Sequence, residues 1–86
     1  MYSVEFSSHA LEDVSKLDKA VSNRILKKIE WLTAHFDAII PQPLKGKFQG
    51  TYKLTVGDWR VLYTANTTEK IITVHLVGHR SEIYKS

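Results

Sequence analysis

The sequence predicts an α+β domain: an N-terminal strand and a two-helix antiparallel hairpin packed on one face of an antiparallel β-sheet. Three observations lead there. An apolar stripe at helical spacing runs through residues 21–36. A Gly-Asp pair interrupts an alternating run over residues 52–65, as a tight hairpin turn does. A further apolar run at 71–77 follows a second polar turn, which completes a three-strand meander.

With 86 residues the chain is read as one domain, residues 1–86, with one modest core. Tyr2, Val4 and Phe6 share a face of a first strand over residues 2–6. Ser7 and Ser8 supply N-cap hydroxyls for a short helix to about Leu17, expected to bury Ala10, Leu11, Val14 and Leu17. Asp18 caps a second helix reaching about Phe36. There Val21, Ile25, Ile29, Leu32 and Phe36 form the stripe, and Arg24, Lys27 and Lys28 fall largely off it. Helices joined by so short a linker are expected to pack against each other as a hairpin.

Pro41 and Pro43 end the helical region, and the segment 44–50, rich in glycine and lysine, is expected to be irregular. In the strand 52–56, Tyr52, Leu54 and Val56 face one way and Lys53 and Thr55 the other. Gly57-Asp58 makes a turn whose first position needs positive φ. Trp59, Val61 and Tyr63 continue the apolar face in the next strand, opposite Arg60, Leu62 and Thr64. The helices are expected to cover the apolar face and leave the face of Lys53 and Arg60 open. Gly78 is read as a bulge that frees His79 and Arg80 from strict alternation.

Composition removes several classes of function. The chain has no cysteine, so disulfide staples and thiolate metal sites are out. His9, His35, His75 and His79 have no companion carboxylate motif, and neither a metal nor any other cofactor is expected. There is no phosphate-binding P-loop, dinucleotide fingerprint or nucleophile elbow. No apolar run approaches the roughly 20 residues that span a bilayer. The N-terminus has neither the basic nor the apolar region of a signal peptide. A soluble, cytoplasmic protein with no membrane partner is expected.

Net charge is +3, unevenly placed: residues 1–43 hold five Lys/Arg against six Asp/Glu, and residues 44–86 hold seven against three. That asymmetry suggests one face for a polyanion. Lysine and arginine are ordinarily just solvated, but Lys53, Arg60 and Arg80 crowd one region. Paired across a hairpin, Lys53 and Arg60 could share one anionic ligand. A guanidinium cannot act as base, and its planar fork suits a phosphate, so Arg60 and Arg80 are candidate clamps for a phosphorane. A lysine crowded by cations gives up its proton more readily, which makes Lys53 the candidate base. His79 is a candidate general acid, and Tyr84 a base-stacking platform or proton relay.

In combination, the segments Tyr52-Lys53…Gly57-Asp58-Trp59-Arg60-Val61-Leu62-Tyr63 and Gly78-His79-Arg80-Ser81-Glu82-Ile83-Tyr84 resemble the RelE/ParE toxin superfamily of toxin–antitoxin modules, and its RelE branch best. The resemblance runs over essentially the whole chain. It implies an mRNA interferase that enters the ribosomal A site and cuts the codon by 2′-OH attack, without a metal. It further implies Lys53 as general base, Arg60 as phosphorane stabiliser, Arg80 as the group that protonates the leaving oxygen and Tyr84 as the group that orients the base. Lys45, with Lys47 beside it, falls where the family carries RNA-contacting residues. The partners implied are the ribosome with its mRNA and a cognate antitoxin, through which the pair could reach operator DNA. Thr55 stands where RelE-type members often carry a second lysine, and the interval from Arg80 to Tyr84 is shorter than in some members. A ParE-type inhibitor of DNA gyrase and a non-catalytic co-repressor remain alternatives.

Overall fold

The structure, a computed structural model, describes residues 1–84. In chain order it holds β1 (Ser3–Phe6), α1 (Ser8–Ser15), α2 (Lys19–His35), β2 (Gln42–Pro43), β3 (Tyr52–Val56), β4 (Trp59–Asn66) and β5 (Ile71–His79). Short 3-10 turns at Phe36–Ala38 and Gly46–Phe48 flank β2. The strands make one sheet in the order β1-β5-β4-β3-β2.

The meander β3–β4–β5 is antiparallel, as its alternation and turns require. Both sheet edges depart from expectation. β1 pairs with β5 in parallel, from Ser3 opposite Ile71 to Phe6 opposite Val74. Alternation reports which face a side chain takes, not the direction of the partner strand, so this was invisible in sequence. β2 is a two-residue strand in a segment expected to be irregular, with Gln42 opposite Lys53 and Pro43 opposite Tyr52. A sheet edge tolerates the missing proline N–H.

Both helices start where their caps predict. Ser7 Oγ accepts from the Ala10 N–H at 3.0 Å, and Asp18 Oδ1 accepts from the Val21 N–H at 3.1 Å. α1 ends before Leu17, and Leu11 is 58% exposed rather than buried. The reason is where α1 lies. It continues the line of β1 along β5: the Ser7 hydroxyl donates to the His75 carbonyl at 3.1 Å, and Asp13 Oδ2 accepts from the Val77 N–H at 3.0 Å. Only the flank of Ala10 and Val14 then meets the core. Both helices pack on the sheet, α1 chiefly along β5 and α2 over β3.

The core joins Ile25, Ile29 and Leu32 of α2 to Leu54, Val56, Val61 and Tyr63 of the sheet. This is the face that alternation assigned to the helices. Burial, followed by the neighbouring Tyr52 phenol, pushes the Tyr63 hydroxyl up to about 12. The opposite face is less open than expected: Leu62, on the side of Lys53 and Arg60, is 1% exposed yet stands outside the helix-side core. Among the described residues, no helix is long and apolar enough to cross a membrane.

The strand irregularity also falls elsewhere than expected. Leu62 faces Leu76 and Tyr63 faces Val74, which leaves His75 as the extra residue of a bulge. Gly78 stays in register opposite Arg60. His75 is held there by a 2.8 Å hydrogen bond between its Nε2 and the Thr64 hydroxyl.

Candidate active site

The β3–β4 hairpin closes through Gly57 at φ +59, while Asp58 has ordinary negative φ. That combination belongs to a type II′ turn, whose twist suits the flanking strands. A two-residue loop sets the register: Val56 opposes Trp59, Thr55 opposes Arg60, and Lys53 opposes Leu62. Lys53 and Arg60 therefore share a face but are diagonal rather than directly paired, with Cα atoms on the order of 7 Å apart. Thr55 stands directly opposite Arg60. Lys53 is half-buried, since β2 flanks it on the outer side.

Arg60 is held against the turn. Its Nη1 donates to the Gly57 carbonyl at 2.8 Å and to the Trp59 carbonyl at 2.9 Å. Both bonds use one nitrogen, so Nη2 and Nε remain to present a fork to a ligand. Arg80 reaches the same turn from the far end of β5. Its backbone N–H donates to the Asp58 carbonyl at 2.8 Å, and its Nε lies 3.5 Å from Asp58 Oδ1. Two arginines from separate segments thus meet at one hairpin tip, and the main chain anchors both.

Beyond β5 the chain folds into a turn in which Glu82 and Ile83 donate to the His79 carbonyl, each at 2.9 Å. This carries Ile83 beneath Gly78, on the sheet face that Arg60 shares. Tyr84 follows, 42% exposed, with its ring 6.1 Å from that of Phe48. Phe48 and Ile83 line a cavity with Leu76, the cross-strand partner of Leu62. The irregular loop and the C-terminal turn thus cover part of the face that was expected to be open. Lys45 and Lys47 are exposed on that loop, and the Lys47 ammonium sits 5.3 Å over the Phe48 ring.

His79 lies apart from this group. Register pairs it with Trp59 on the helix-side face, and the two rings meet edge-on at 5.3 Å. The Ser81 N–H donates to His79 Nδ1 at 3.1 Å, so the neutral ring carries its proton on Nε2. The sheet thus brings Lys53, Arg60 and Arg80 toward one region, sets Tyr84 beside the loop of Lys45 and Lys47, and turns His79 to the other side.

Two contributors were not singled out in sequence. Asp58 contributes the acidic partner of Arg80. Arg24 reaches across from α2, and its Nη2 sits 2.9 Å from where a Cβ on Gly57 would be. Any side chain at 57 would displace that guanidinium as well as strain the turn. The only trace of Arg24 in sequence was its place off the apolar stripe of α2. Among the described residues, no cluster of His, Cys, Asp or Glu could hold a metal ion.

Comparison with known proteins agrees with this architecture. The sequence model described as ParE toxin of type II toxin-antitoxin system, parDE, matches residues 4–84. The chain is similar to Toxin RelG of Mycobacterium tuberculosis, with 24% identity over 84 residues that cover 98% of this chain and 97% of that protein. The toxin–antitoxin complex RelBE2 of the same organism has a chain of similar fold, with TM-score 0.80 and 24% identity over 92% of this chain and 98% of that one. The isolated RelE toxin of E. coli aligns with TM-score 0.76 and 26% identity, covering 98% of this chain and 92% of that one. Two helices on a five-stranded, mostly antiparallel sheet is the RelE-like arrangement.

Proposed function

This chain belongs to the ParE toxin family of type II toxin–antitoxin systems, and from that premise we propose that it is an endoribonuclease of the RelE type that cleaves mRNA on the ribosome. The observation that carries this reading is the meeting of Arg60 and Arg80 at one main-chain-anchored hairpin tip, with Lys53 diagonal to Arg60 on the same face. A phosphodiester there would find fixed positive charge where negative charge grows during reaction. The ribose 2′-oxygen forms a bond to the adjacent phosphorus as Lys53 takes its proton. The phosphorus–O5′ bond breaks, the 5′-oxygen receives a proton from a water molecule on the Arg80 side, and the Lys53 ammonium returns its proton to the hydroxide so formed. The products are a 2′,3′-cyclic phosphate and a 5′-hydroxyl, and no metal takes part.

Tyr84 and the neighbouring loop of Lys45 and Lys47 would hold the RNA beside that centre. Proton delivery by His79 would require it to reach around the end of β5 from the helix-side face. The partner in the resting cell is a cognate antitoxin, as in the RelBE and DinJ–YafQ complexes of related folds. The groove between α2 and the β3 edge, where Trp31 and Ile40 are 39% and 93% exposed, is apolar surface for such a partner to cover. Action on ribosomes places the protein in the cytoplasm.

Arg60→Ala should lower cleavage of mRNA on programmed ribosomes by about 10²- to 10³-fold, read by primer extension from the new 3′ ends. The variant should keep the wild-type melting temperature to within a few degrees, since Arg60 lies outside the core. Cleavage by Arg60→Ala at the wild-type rate would show that the site is misplaced. The matching family model is named for ParE, so the ParE-type alternative implied by the sequence resemblance, inhibition of DNA gyrase, is the second reading. Growth arrest with intact mRNA and a DNA-damage response would select it.

A further inference from the structure

We propose that the cavity between α1 and the C-terminal turn is a subsite for an RNA base that carries an exocyclic amino group, so that the protein discriminates against uracil beside the scissile bond. The proposal rests on the reading of the chain as a ribonuclease and adds a base-selecting site to it. The cavity measures about 390 Å³, within the roughly 300–1,000 Å³ usual for small-ligand sites. Leu76 and Gly78 line it, and they are the β5 partners of Leu62 and Arg60. It therefore opens on the sheet face of Arg60, one strand away. A single RNA strand whose phosphate sits on Arg60 would bring a neighbouring base to it.

Apart from the Lys47 ammonium, the polar side chains around it offer acceptors. Asp13 Oδ2 already accepts from the Val77 N–H at 3.0 Å and from His9 Nδ1 at 3.1 Å. A carboxylate can only accept, so His9 Nδ1 carries the proton of this pair, and Nε2 adds an acceptor whenever it is unprotonated. Tethering α1 to β5 needs only Asp13. His9 adds nothing to that tether and keeps 66% of its side chain exposed at the cavity. The second oxygen of Asp13 and the Glu82 carboxylate complete the set. Phe48 supplies an aromatic wall, with the Lys47 ammonium 5.3 Å over its ring.

A site of acceptors over an apolar floor suits a base edge rich in donors. Guanine presents N1–H and N2–H₂, adenine N6–H₂ and cytosine N4–H₂, and carboxylates are known to accept from such groups. Uracil offers one N–H between two carbonyls, which would face the carboxylates without a partner. Desolvated and unpaired polar groups lose more than the missing bonds alone.

The test titrates 15N-labelled protein with 3′-GMP, 3′-AMP, 3′-CMP and 3′-UMP, following the amides of Val77, Gly78 and Ile83. Saturable shifts are expected with the first three, and binding at least about tenfold weaker with 3′-UMP. Glu82→Gln, an exposed position that should leave the fold intact, is expected to weaken 3′-GMP by about tenfold. Asp13→Asn keeps an oxygen for the Val77 N–H but turns a donor toward the cavity, and should narrow the gap between 3′-GMP and 3′-UMP. Equal affinity for all four nucleotides, or shifts confined to Lys53 and Arg60, would overturn the proposal. Selective binding by a protein that leaves mRNA on ribosomes uncut supports the subsite and removes the nuclease reading alone.

Discussion

The two faces of the sheet are built on different terms. On the helix side, α2 lays Ile25, Ile29 and Leu32 against Leu54, Val56, Val61 and Tyr63, and most of these are buried to within a few per cent. On the other side, among the described residues, Leu62 alone is fully buried; Phe48 of the loop and Ile83 of the turn close on its cross-strand partner Leu76, near Lys53, Arg60 and the cavity of Asp13. One face is closed by regular structure with matched periodicity. The other is closed in patches by segments that lack it, and the patches leave room for ligands. A small domain with one sheet can afford a functional face only because the first face supplies nearly all of its burial.

The largest expected effect probes that division directly. Ile29→Ala should destabilise the fold by about 4 kcal/mol, and Leu62→Ala by about 2 kcal/mol, within the usual range for buried aliphatic truncations. Leu62 should fall lower because it stands outside the helix-side core, on a face closed only in part by irregular segments that can settle. Urea unfolding measures both. Equal losses would mean that the two faces form one continuous core, and the contrast would fail.

A smaller effect belongs to the helix side alone. The Tyr63 hydroxyl is pushed up to about 12 from its ordinary 10. The folded chain thus keeps a proton that the unfolded chain releases above pH 10. Stability from this group is fully present below pH 10 and is lost as the pH rises toward 12, to a limit of about 3 kcal/mol. Tyr63→Phe should flatten that part of the stability–pH curve, and an unchanged slope would assign the alkaline loss to other groups.

The smallest change in stability is expected at the hairpin tip. Asp58 and Arg80 are 65% and 62% exposed, so their ion pair should be worth under about 0.5 kcal/mol. Asp58→Asn should leave the melting temperature nearly unchanged, yet raise cleavage a few-fold by removing the negative charge nearest the phosphate site. A drop in cleavage instead would make Asp58 a positioning residue for Arg80.

Much of the helix-side face was legible in the sequence because it obeys a period. The stripe from Val21 to Phe36, the caps Ser7 and Asp18, and the alternation through Gly57-Asp58 each state a local rule, and the structure follows them. Leu11 departs because burial on α1 depends on how the helix lies along β5, which no spacing within α1 records. The candidate site was legible as a list of cations but not as an arrangement. Lys53 and Arg60 are diagonal because the two-residue turn sets Thr55 opposite Arg60. His79 turns away because Gly78 keeps the strand regular and the bulge falls at His75.

Residue pattern alone determined the α+β class, the covered face and the residues that could grip a phosphate, since each follows from period, turn chemistry or side-chain charge. Tertiary structure alone decided the parallel pairing of β1 with β5, the burial of Leu62, the approach of Arg24 and Arg80 to the hairpin tip, and the cavity where α1 meets the C-terminal turn. Those features join segments far apart in the chain. Contacts of that kind are chosen by packing and hydrogen-bond partnership in three dimensions, and they leave no periodic trace along it.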